Sequence, residues 1–211
     1  MDIIETFGKA GVIPVIVVED LEKAVPLARA LVRGGLSVLE VTFRTACAAE
    51  AMARIRREVP EVTLAAGTVL TREQLEAAKA AGARACVAPG FDPEIVRAAS
   101  EIGMPFCPGV ATASELSQAL RLGCRMVKFF PAESAGGVKY IKDLLGAFRW
   151  THVRFMPTGG VKPSNLAEYL AVPEVACCGG TWIAPKEAVA AGDWAAVERL
   201  ASEAAAMAKR R

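Results

Sequence analysis

The segment Arg125-Met126-Val127-Lys128-Phe129-Phe130-Pro131 decides the fold, because in it one lysine interrupts a run of bulky apolar residues. Its composition predicts a short buried strand, and the final proline ends it because proline cannot donate to a β-ladder. Burial strips water from an ammonium group, so Lys128 must either pair with an acid or become a neutral amine. A neutral amine on a rigid strand is a nucleophile towards carbonyl groups. Taken alone, the segment also fits a surface lysine or a salt-bridged one.

Seven further apolar, β-branched segments resemble this one along the chain. The eight segments begin about 20 to 28 residues apart, near Ile13, Ser37, Val62, Ala85, Pro105, Arg125, Val153 and Val175. Helical periodicity in the sequence between them predicts helices over Leu21–Arg33, Ala46–Val59, Arg72–Ala81, Pro93–Ile102, Ala113–Leu122, Gly137–Phe148, Pro163–Ala171 and Trp194–Lys209. Continuous apolar strands that alternate with helices are typical of a parallel sheet that is buried on both faces.

Eight strand–helix repeats in 211 residues predict a single α/β domain over residues 1–211, a (β/α)8 TIM barrel. A short amphipathic helix over Met1–Lys9 is expected to cover the bottom of the barrel, at its N-terminal mouth. The alternative is an open doubly wound sheet. No G-x-G-x-x-G motif follows the first strand, which disfavours a dinucleotide-binding sheet of that kind.

Composition and charge exclude several classes of protein. The formal net charge is only +2 and the basic residues are scattered, so no nucleic-acid partner is expected. The longest stretch without a charged residue, Ile102–Ser114, contains two prolines and is too short to span a bilayer. Acidic residues near the N-terminus argue against a signal peptide. We therefore expect a cytoplasmic protein with no membrane partner.

Cysteine and histidine usage argues against a metal centre. The chain has six cysteines and one histidine, and no two cysteines form a C-x-x-C pair. Several of the cysteines lie in strand-like segments, where a free thiol behaves as a small apolar side chain. We therefore expect free thiols in a reducing compartment and no bound metal.

An acid and a base occupy the second predicted strand and its end. Alternation along Ser37–Arg44 points Glu40 into the barrel, where a buried carboxylate near an amine is a candidate general acid or base. The alternative is a structural ion pair with Lys128. Arg44 follows the strand, and its planar guanidinium suits a carboxylate or a phosphate, although an ordinary exposed arginine would look the same.

Other strand ends carry weaker signals. The seventh and eighth predicted strands end in Thr158-Gly159-Gly160 and Gly179-Gly180-Thr181, and exposed backbone amides beside a helix start form an anion site. Barrels often bind phosphate between these two loops, although either one alone could be a tight turn. Phe130 lies nearer the mouth than Lys128 and either walls the site or packs in the core.

The motifs in order resemble one known family over nearly the whole chain. They are Leu39-Glu40-Val41-Thr42-Phe43-Arg44-Thr45, Ala66-Gly67-Thr68-Val69, Pro89-Gly90, Lys128-Phe129-Phe130-Pro131-Ala132-Glu133, Pro157-Thr158-Gly159-Gly160 and Gly179-Gly180-Thr181-Trp182. This set is similar to the 2-keto-3-deoxy-6-phosphogluconate (KDPG) and 4-hydroxy-2-oxoglutarate (KHG) aldolases. The resemblance implies a class I aldolase that needs no metal or other cofactor and assembles as a homotrimer.

The resemblance also implies a role for each matching residue. Lys128 falls on the Schiff-base lysine and Glu40 on the general acid or base. The substrate-binding positions fall on Arg44 and Thr68 for the pyruvate carboxylate, Pro89 and Phe130 for the pyruvate pocket, Thr158 for stereochemical preference, and Gly159, Gly160, Gly180 and Thr181 for the phosphate.

The expected reaction follows from these roles. The enzyme would cleave KDPG, a phosphorylated 2-keto acid, to pyruvate and glyceraldehyde 3-phosphate, and KHG to pyruvate and glyoxylate. One alternative is a phosphosugar isomerase or epimerase on the same barrel, which forms no covalent intermediate. Another is a sensor that binds a phosphorylated ligand without turnover.

Overall fold

The computed structural model describes residues 3–209 and shows an α/β chain of short parallel strands alternating with helices. The strands are β1 Val12–Ile16, β2 Val38–Thr42, β3 Thr63–Gly67, β4 Ala85–Val87, β5 Phe106–Cys107, β6 Gly109–Val110, β7 Met126–Phe129, β8 Arg154–Pro157 and β9 Cys178–Gly180. The helices are α1 Ile3–Ala10, α2 Ala24–Arg33, α3 Ala48–Glu58, α4 Arg72–Ala80, α5 Pro93–Glu101, α6 Ala113–Arg121, α7 Gly137–Phe148, α8 Pro163–Leu170, α9 Lys186–Ala191 and α10 Trp194–Ala208. Two short 3-10 turns, Leu21–Lys23 and Arg149–Thr151, complete the assignment.

The strands pair as two parallel sheets. Six form the order β5-β4-β3-β2-β1-β9, and three form the order β6-β7-β8. Pro108 separates β5 from β6, and it interrupts the ladder because it has no amide hydrogen to donate. The predicted fifth strand is therefore two short strands that pair with different neighbours, β4 on one side and β7 on the other. Between β8 and the β9 segment the contact is two isolated parallel bridges, Phe155 to Val175 and Thr158 to Gly179.

Two apolar cores lie on opposite faces of the strands. On β2, Leu39 and Val41 belong to the larger core, which packs the sheets against the helices, whereas Val38 belongs to the smaller one. On β7, Val127 is in the larger core and Met126 in the smaller. Because successive side chains on a strand point to opposite faces, this pattern fixes the faces of the polar residues between them.

Helix α1 closes the smaller core at the amino-terminal ends of the strands. Its Phe7 is buried against residues such as Val38 and Met126, which begin their strands, and Ile3 and Ile4 pack beside it. The described part of the predicted Met1–Lys9 helix is therefore confirmed, and its first two residues lie outside the described range. Helix α9 was not predicted from the sequence, because six residues are too few to show a clear period.

Helix α6 begins with a reciprocal cap that the T-x-x-E pattern indicates. The Thr112 Oγ1 accepts from the Glu115 amide at 3.3 Å, and Glu115 Oε2 accepts from the amides of Thr112 and Ala111 at 2.8 Å. Partial burial alone would raise the pKa of the Glu115 carboxyl, but these hydrogen bonds outweigh it and lower that pKa.

Loss of this cap should destabilise the protein in a pH-dependent way. We expect Thr112→Ala to lower the free energy of unfolding by about 1 kcal/mol at neutral pH. Because Glu115 has a lowered pKa in the folded state, its contribution is present above the ordinary carboxyl pKa. The contribution is lost as the pH falls through the lowered value. Urea unfolding of wild type and Glu115→Gln at about pH 7 and about pH 3 measures this contribution. The free energy of unfolding should be lower in Glu115→Gln at the higher pH and equal in the two proteins at the lower pH.

Candidate active site

Lys128 and Glu40 meet on the interior side of the strands, on the face that the two-core pattern assigns to them. Lys128 Nζ lies 3.0 Å from Glu40 Oε1, and both side chains are almost fully buried. Glu40 projects from β2 and Lys128 from β7, so the contact spans the interior between the two sheets. A buried pair of this kind is costly to desolvate, and it persists when each charge compensates the other.

The second oxygen of Glu40 is available for another partner. Glu40 Oε2 is buried and has no hydrogen-bond partner among the described residues, and the same holds for Thr158 Oγ1. Buried polar atoms are nearly always paired, so the unpaired Glu40 oxygen beside a buried lysine marks a place where a polar ligand or water belongs. The aromatic ring of Phe130 lies 5.7 Å from Lys128 Nζ, measured to the ring centroid, and walls one side of the amine.

Gly67 makes room for the Glu40 carboxylate. A Cβ atom at Gly67 would lie 2.7 Å from Glu40 Cγ and would overlap the carboxylate itself. In the sequence, Gly67 at the end of the third strand indicates either a close approach to the backbone or a plain turn, and it does not show which side chain approaches.

We expect Gly67→Ala to lower turnover by roughly 100-fold, because it displaces the Glu40 side chain by about an ångström from the amine. Steady-state kinetics should show the loss in kcat, with a thermal unfolding scan to establish that the variant is folded. Gly146→Ala is a matched control, since a Cβ there meets no atom within 4 Å. Equal activities for the two variants would contradict this role of Gly67.

Arg44 lies just beyond the carboxyl-terminal end of β2 and is held there by Thr42 of the same strand. Its Nε donates to Thr42 Oγ1 at 3.2 Å, and Thr42 Oγ1 in turn donates to the Ile16 carbonyl of β1 at 3.1 Å. The terminal guanidinium nitrogens form no hydrogen bond or ion pair with the described residues. Arg44 and Thr181 both line a cavity of about 760 Å³, together with Trp182. Lys128 and Glu40 do not line this cavity.

Thr68 and Pro89 lie just beyond the carboxyl-terminal ends of β3 and β4. Thr68 follows β3 with a positive φ of 57°, a conformation that a non-glycine residue seldom adopts. Pro89 packs so tightly against Gly109 that a Cβ there would overlap the Pro89 carbonyl. Gly109 is the β6 residue in register with Lys128, so Pro89 lies close to the strand that carries the amine.

The loop after β8 has the properties of an anion site. Gly159 and Gly160 both have positive φ, 94° and 80°. The amide hydrogens of Gly160 and Val161 have no hydrogen-bond acceptor within residues 3–209. Helix α8 starts two residues later, so these amides lie beside the positive end of its dipole.

The loop after β9 lies next to it. The bridge between Thr158 and Gly179 joins the two loops, and Gly180 ends β9. A Cβ at Gly180 would overlap the Trp182 ring, so the bare backbone is needed there. Thr181 is exposed, with its hydroxyl at the same edge.

No group of three or more His, Cys, Asp or Glu side chains that could hold a metal ion is found within residues 3–209. None of the described helices is both long and apolar enough to cross a membrane. All six cysteines are free, and burial raises the pKa of the Cys86 thiol to about 12 and that of Cys124 to about 11. Thiols of this kind pack as apolar groups and are unreactive.

Comparison with known proteins agrees with this geometry. The family model described as KDPG and KHG aldolase matches residues 3–200. The 2-dehydro-3-deoxy-phosphogluconate aldolase of Treponema pallidum is 50% identical over 201 residues, with 95% of both chains covered. The KHG/KDPG aldolase of Escherichia coli strain K12 is 48% identical, with 94% of this chain and 92% of the relative covered.

A solved structure extends the similarity to three dimensions. The KDPG aldolase of Legionella pneumophila, captured with pyruvate as a covalent carbinolamine intermediate, superposes with a TM-score of 0.91 at 42% identity. The match covers 96% of this chain and 97% of that one. On the family model, the close relatives and the shared fold together, this chain belongs to the KDPG and KHG aldolase family.

Proposed function

We propose that this protein is a class I aldolase that cleaves KDPG to pyruvate and glyceraldehyde 3-phosphate, and that it also cleaves KHG to pyruvate and glyoxylate. The observation that carries the proposal is the buried Lys128, whose Nζ lies 3.0 Å from Glu40 Oε1 in the interior between the two sheets. The carbinolamine in the Legionella enzyme supports the same chemistry here.

The fold that supports this site is a single (β/α)8 barrel over residues 1–211. The two parallel sheets meet at Pro108 on one side and at the two bridges between β8 and the β9 segment on the other. Interruptions at these two places account for the absence of one continuous ladder among the described strands. The common interior core supports one barrel rather than two separate sheets.

The reaction begins at Lys128. Its amine, after transferring a proton to Glu40, attacks the C2 ketone to give a carbinolamine. Glu40 returns that proton to the carbinolamine hydroxyl, which leaves as water, and the products are an iminium cation and an ionised Glu40. The cation accepts the electron pair of the C3–C4 bond. Glu40 takes the C4 hydroxyl proton, directly or through a water, and its unpaired Oε2 is suited to that second contact. Cleavage releases the aldehyde and leaves an enamine, which gains a proton at C3 and is hydrolysed to pyruvate.

The remaining residues position the substrate. Arg44 and Thr68 hold the carboxylate, so that the ketone lies within reach of the amine. Pro89 and Phe130 line the pyruvate pocket. Thr158 contacts the C4 region through its unpaired hydroxyl. The phosphate binds to the two glycine-rich loops, through Gly159, Gly160, Gly180 and Thr181.

We also propose that the enzyme acts in the cytoplasm as a homotrimer. Six free cysteines, five of them buried, suit a reducing compartment. Light scattering on a sizing column should give a mass of three chains, and a single-chain mass would overturn the trimer.

The proposal is tested by an aldol-cleavage assay on phosphorylated and unphosphorylated 2-keto-3-deoxy acids in both C4 configurations, with lactate dehydrogenase reporting pyruvate. We expect pyruvate release from at least one phosphorylated acid. No release from any of these acids or from KHG would overturn the proposed function.

A further inference from the structure

Tyr169 and Glu133 form a hydrogen-bonded pair that the reaction does not use. The Tyr169 hydroxyl, on α8, donates to Glu133 Oε1, in the turn between β7 and α7. The Tyr169 side chain is completely buried, whereas Glu133 is exposed on one side. In the sequence, Glu133 ends the motif Lys128–Glu133, and Tyr169 carries no signal that links it to the site.

Glu133 is hydrogen-bonded through its backbone to the loop after β8. Its amide donates to the Gly159 carbonyl at 3.0 Å, and the preceding amide, of Ala132, donates to the Thr158 carbonyl at 2.8 Å. The Glu133 side chain lies against Gly160, where a Cβ atom would come within 2.6 Å of the Glu133 Cβ. The carboxylate is thus carried on the same short segment that shapes the glycine loop.

In this position the Glu133 carboxylate could itself occupy the anion site, and its hydrogen bond with Tyr169 prevents this. The amides of Gly160 and Val161 lack acceptors, and a side-chain carboxylate beside such amides readily accepts from them, as it does at helix starts. A Glu133 carboxylate that turned into the loop would block it and would repel a phosphate. The bond from Tyr169 holds the carboxylate on the α8 side instead.

The Tyr169 hydroxyl can donate to Glu133 throughout the physiological pH range. Burial, together with the neighbouring Glu133 carboxylate, raises the pKa of the Tyr169 phenol, so the hydroxyl keeps its proton at physiological pH. Asn165 holds the other end of the loop, because its Nδ2 donates to the Gly160 carbonyl at 3.2 Å. The loop is therefore fixed on both sides while its amides stay open.

We propose that Tyr169 is a positioning residue that holds the Glu133 carboxylate away from the glycine-loop amides and so keeps the anion site open for the phosphate of the substrate. This inference rests on the proposed function, because it concerns the phosphate subsite of the same reaction. Neither residue touches the reacting atoms.

The test is Tyr169→Phe, which keeps the buried ring and removes the donor. We expect KM for KDPG to rise about tenfold with kcat changed less than about twofold, since only binding of the phosphate is affected. For KHG, which has no phosphate, both constants should stay within about twofold of wild type. Near-UV circular dichroism establishes that the ring environment is intact.

The double variant Tyr169→Phe, Glu133→Gln separates this role from a general loss of structure. Removing the charge should restore KM for KDPG to within about threefold of wild type, because a neutral amide competes weakly for the loop. Glu133→Gln alone, which leaves Tyr169 unchanged, should bind KDPG at least as well as wild type. A KM that rises equally for both acids, no restoration in the double variant, or a tenfold rise in Glu133→Gln would each overturn the proposal.

The activity of the wild-type protein shows whether a negative result contradicts the proposed function or only the positioning role of Tyr169. If wild type cleaves neither KDPG nor KHG, the proposed function itself is overturned. If wild type prefers KDPG and Tyr169→Phe retains that preference, only the positioning role is overturned. A wild type that cleaves both acids with equal kcat/KM overturns the phosphate subsite and the role of Tyr169 with it.

Discussion

Replacement of Lys128 by methionine is expected to lower kcat by roughly 10⁴-fold or more, because it removes the nucleophile on which every later step depends. Incubation of wild type with pyruvate and borohydride should attach one reduced pyruvyl group to Lys128, found by peptide mass mapping. The methionine variant should gain none. The same experiment separates an aldolase from an isomerase or epimerase on this fold, which would form no imine.

The control addresses the charge that this replacement leaves behind. Lys128→Met strands the buried Glu40 carboxylate without its partner, and an uncompensated buried charge destabilises a protein by about 3–5 kcal/mol. The double variant Lys128→Met, Glu40→Gln removes both charges and should recover much of the stability while remaining inactive. A borohydride adduct on any lysine other than Lys128, or substantial turnover in the double variant, would exclude Lys128 as the Schiff-base residue.

Glu40→Gln is expected to separate imine formation from bond cleavage. Glutamine is nearly the same size but cannot take a proton, so kcat for cleavage should fall by roughly 10²–10⁴-fold. The amine should still react with pyruvate, because Lys128 keeps its place on β7 and loses only the acid 3.0 Å away. Rapid-quench trapping with borohydride should therefore give a near-normal adduct yield alongside slow aldehyde release.

Two outcomes would contradict this role of Glu40. Normal cleavage in Glu40→Gln would assign the proton transfer to another group. Loss of the pyruvate adduct in a folded variant would show that Glu40 serves mainly to position Lys128. Thermal unfolding of the variant is the necessary companion measurement, because Glu40 lies at the centre of the buried polar contact between β2 and β7.

Local periodicity was enough to predict the strands and helices. Each predicted helix with a clear apolar stripe is present with ends that differ by at most a few residues, since capping residues such as Thr112 and Asp92 act within one turn. The break at Pro108 and helix α9 were missed. The first depends on which neighbour each half-strand pairs with, and the second is too short to show a period.

The sequence predicts candidate residues on several strands at once, because the carboxyl ends of parallel strands meet at one edge. Lys128 and Glu40 were noted as polar residues in apolar strands, and that mismatch is visible in the sequence itself. The roles of Gly67 and Tyr169 have no such signal. The importance of Gly67 depends on the Glu40 side chain that packs against it, and that of Tyr169 depends on its hydrogen bond to Glu133. Both contacts join residues far apart in the sequence.

The sequence by itself therefore determined the order of the elements, the faces of the strands and the identity of the amine and the acid, because these depend on hydrophobic periodicity and on the chemistry of single side chains. Only the tertiary structure decided that Lys128 and Glu40 are 3.0 Å apart, and that Tyr169 holds Glu133 beside the glycine loop. Distances between residues far apart in the chain depend on how the strands pair and how the helices pack. That packing energy is spread over the whole core and is encoded in no single segment.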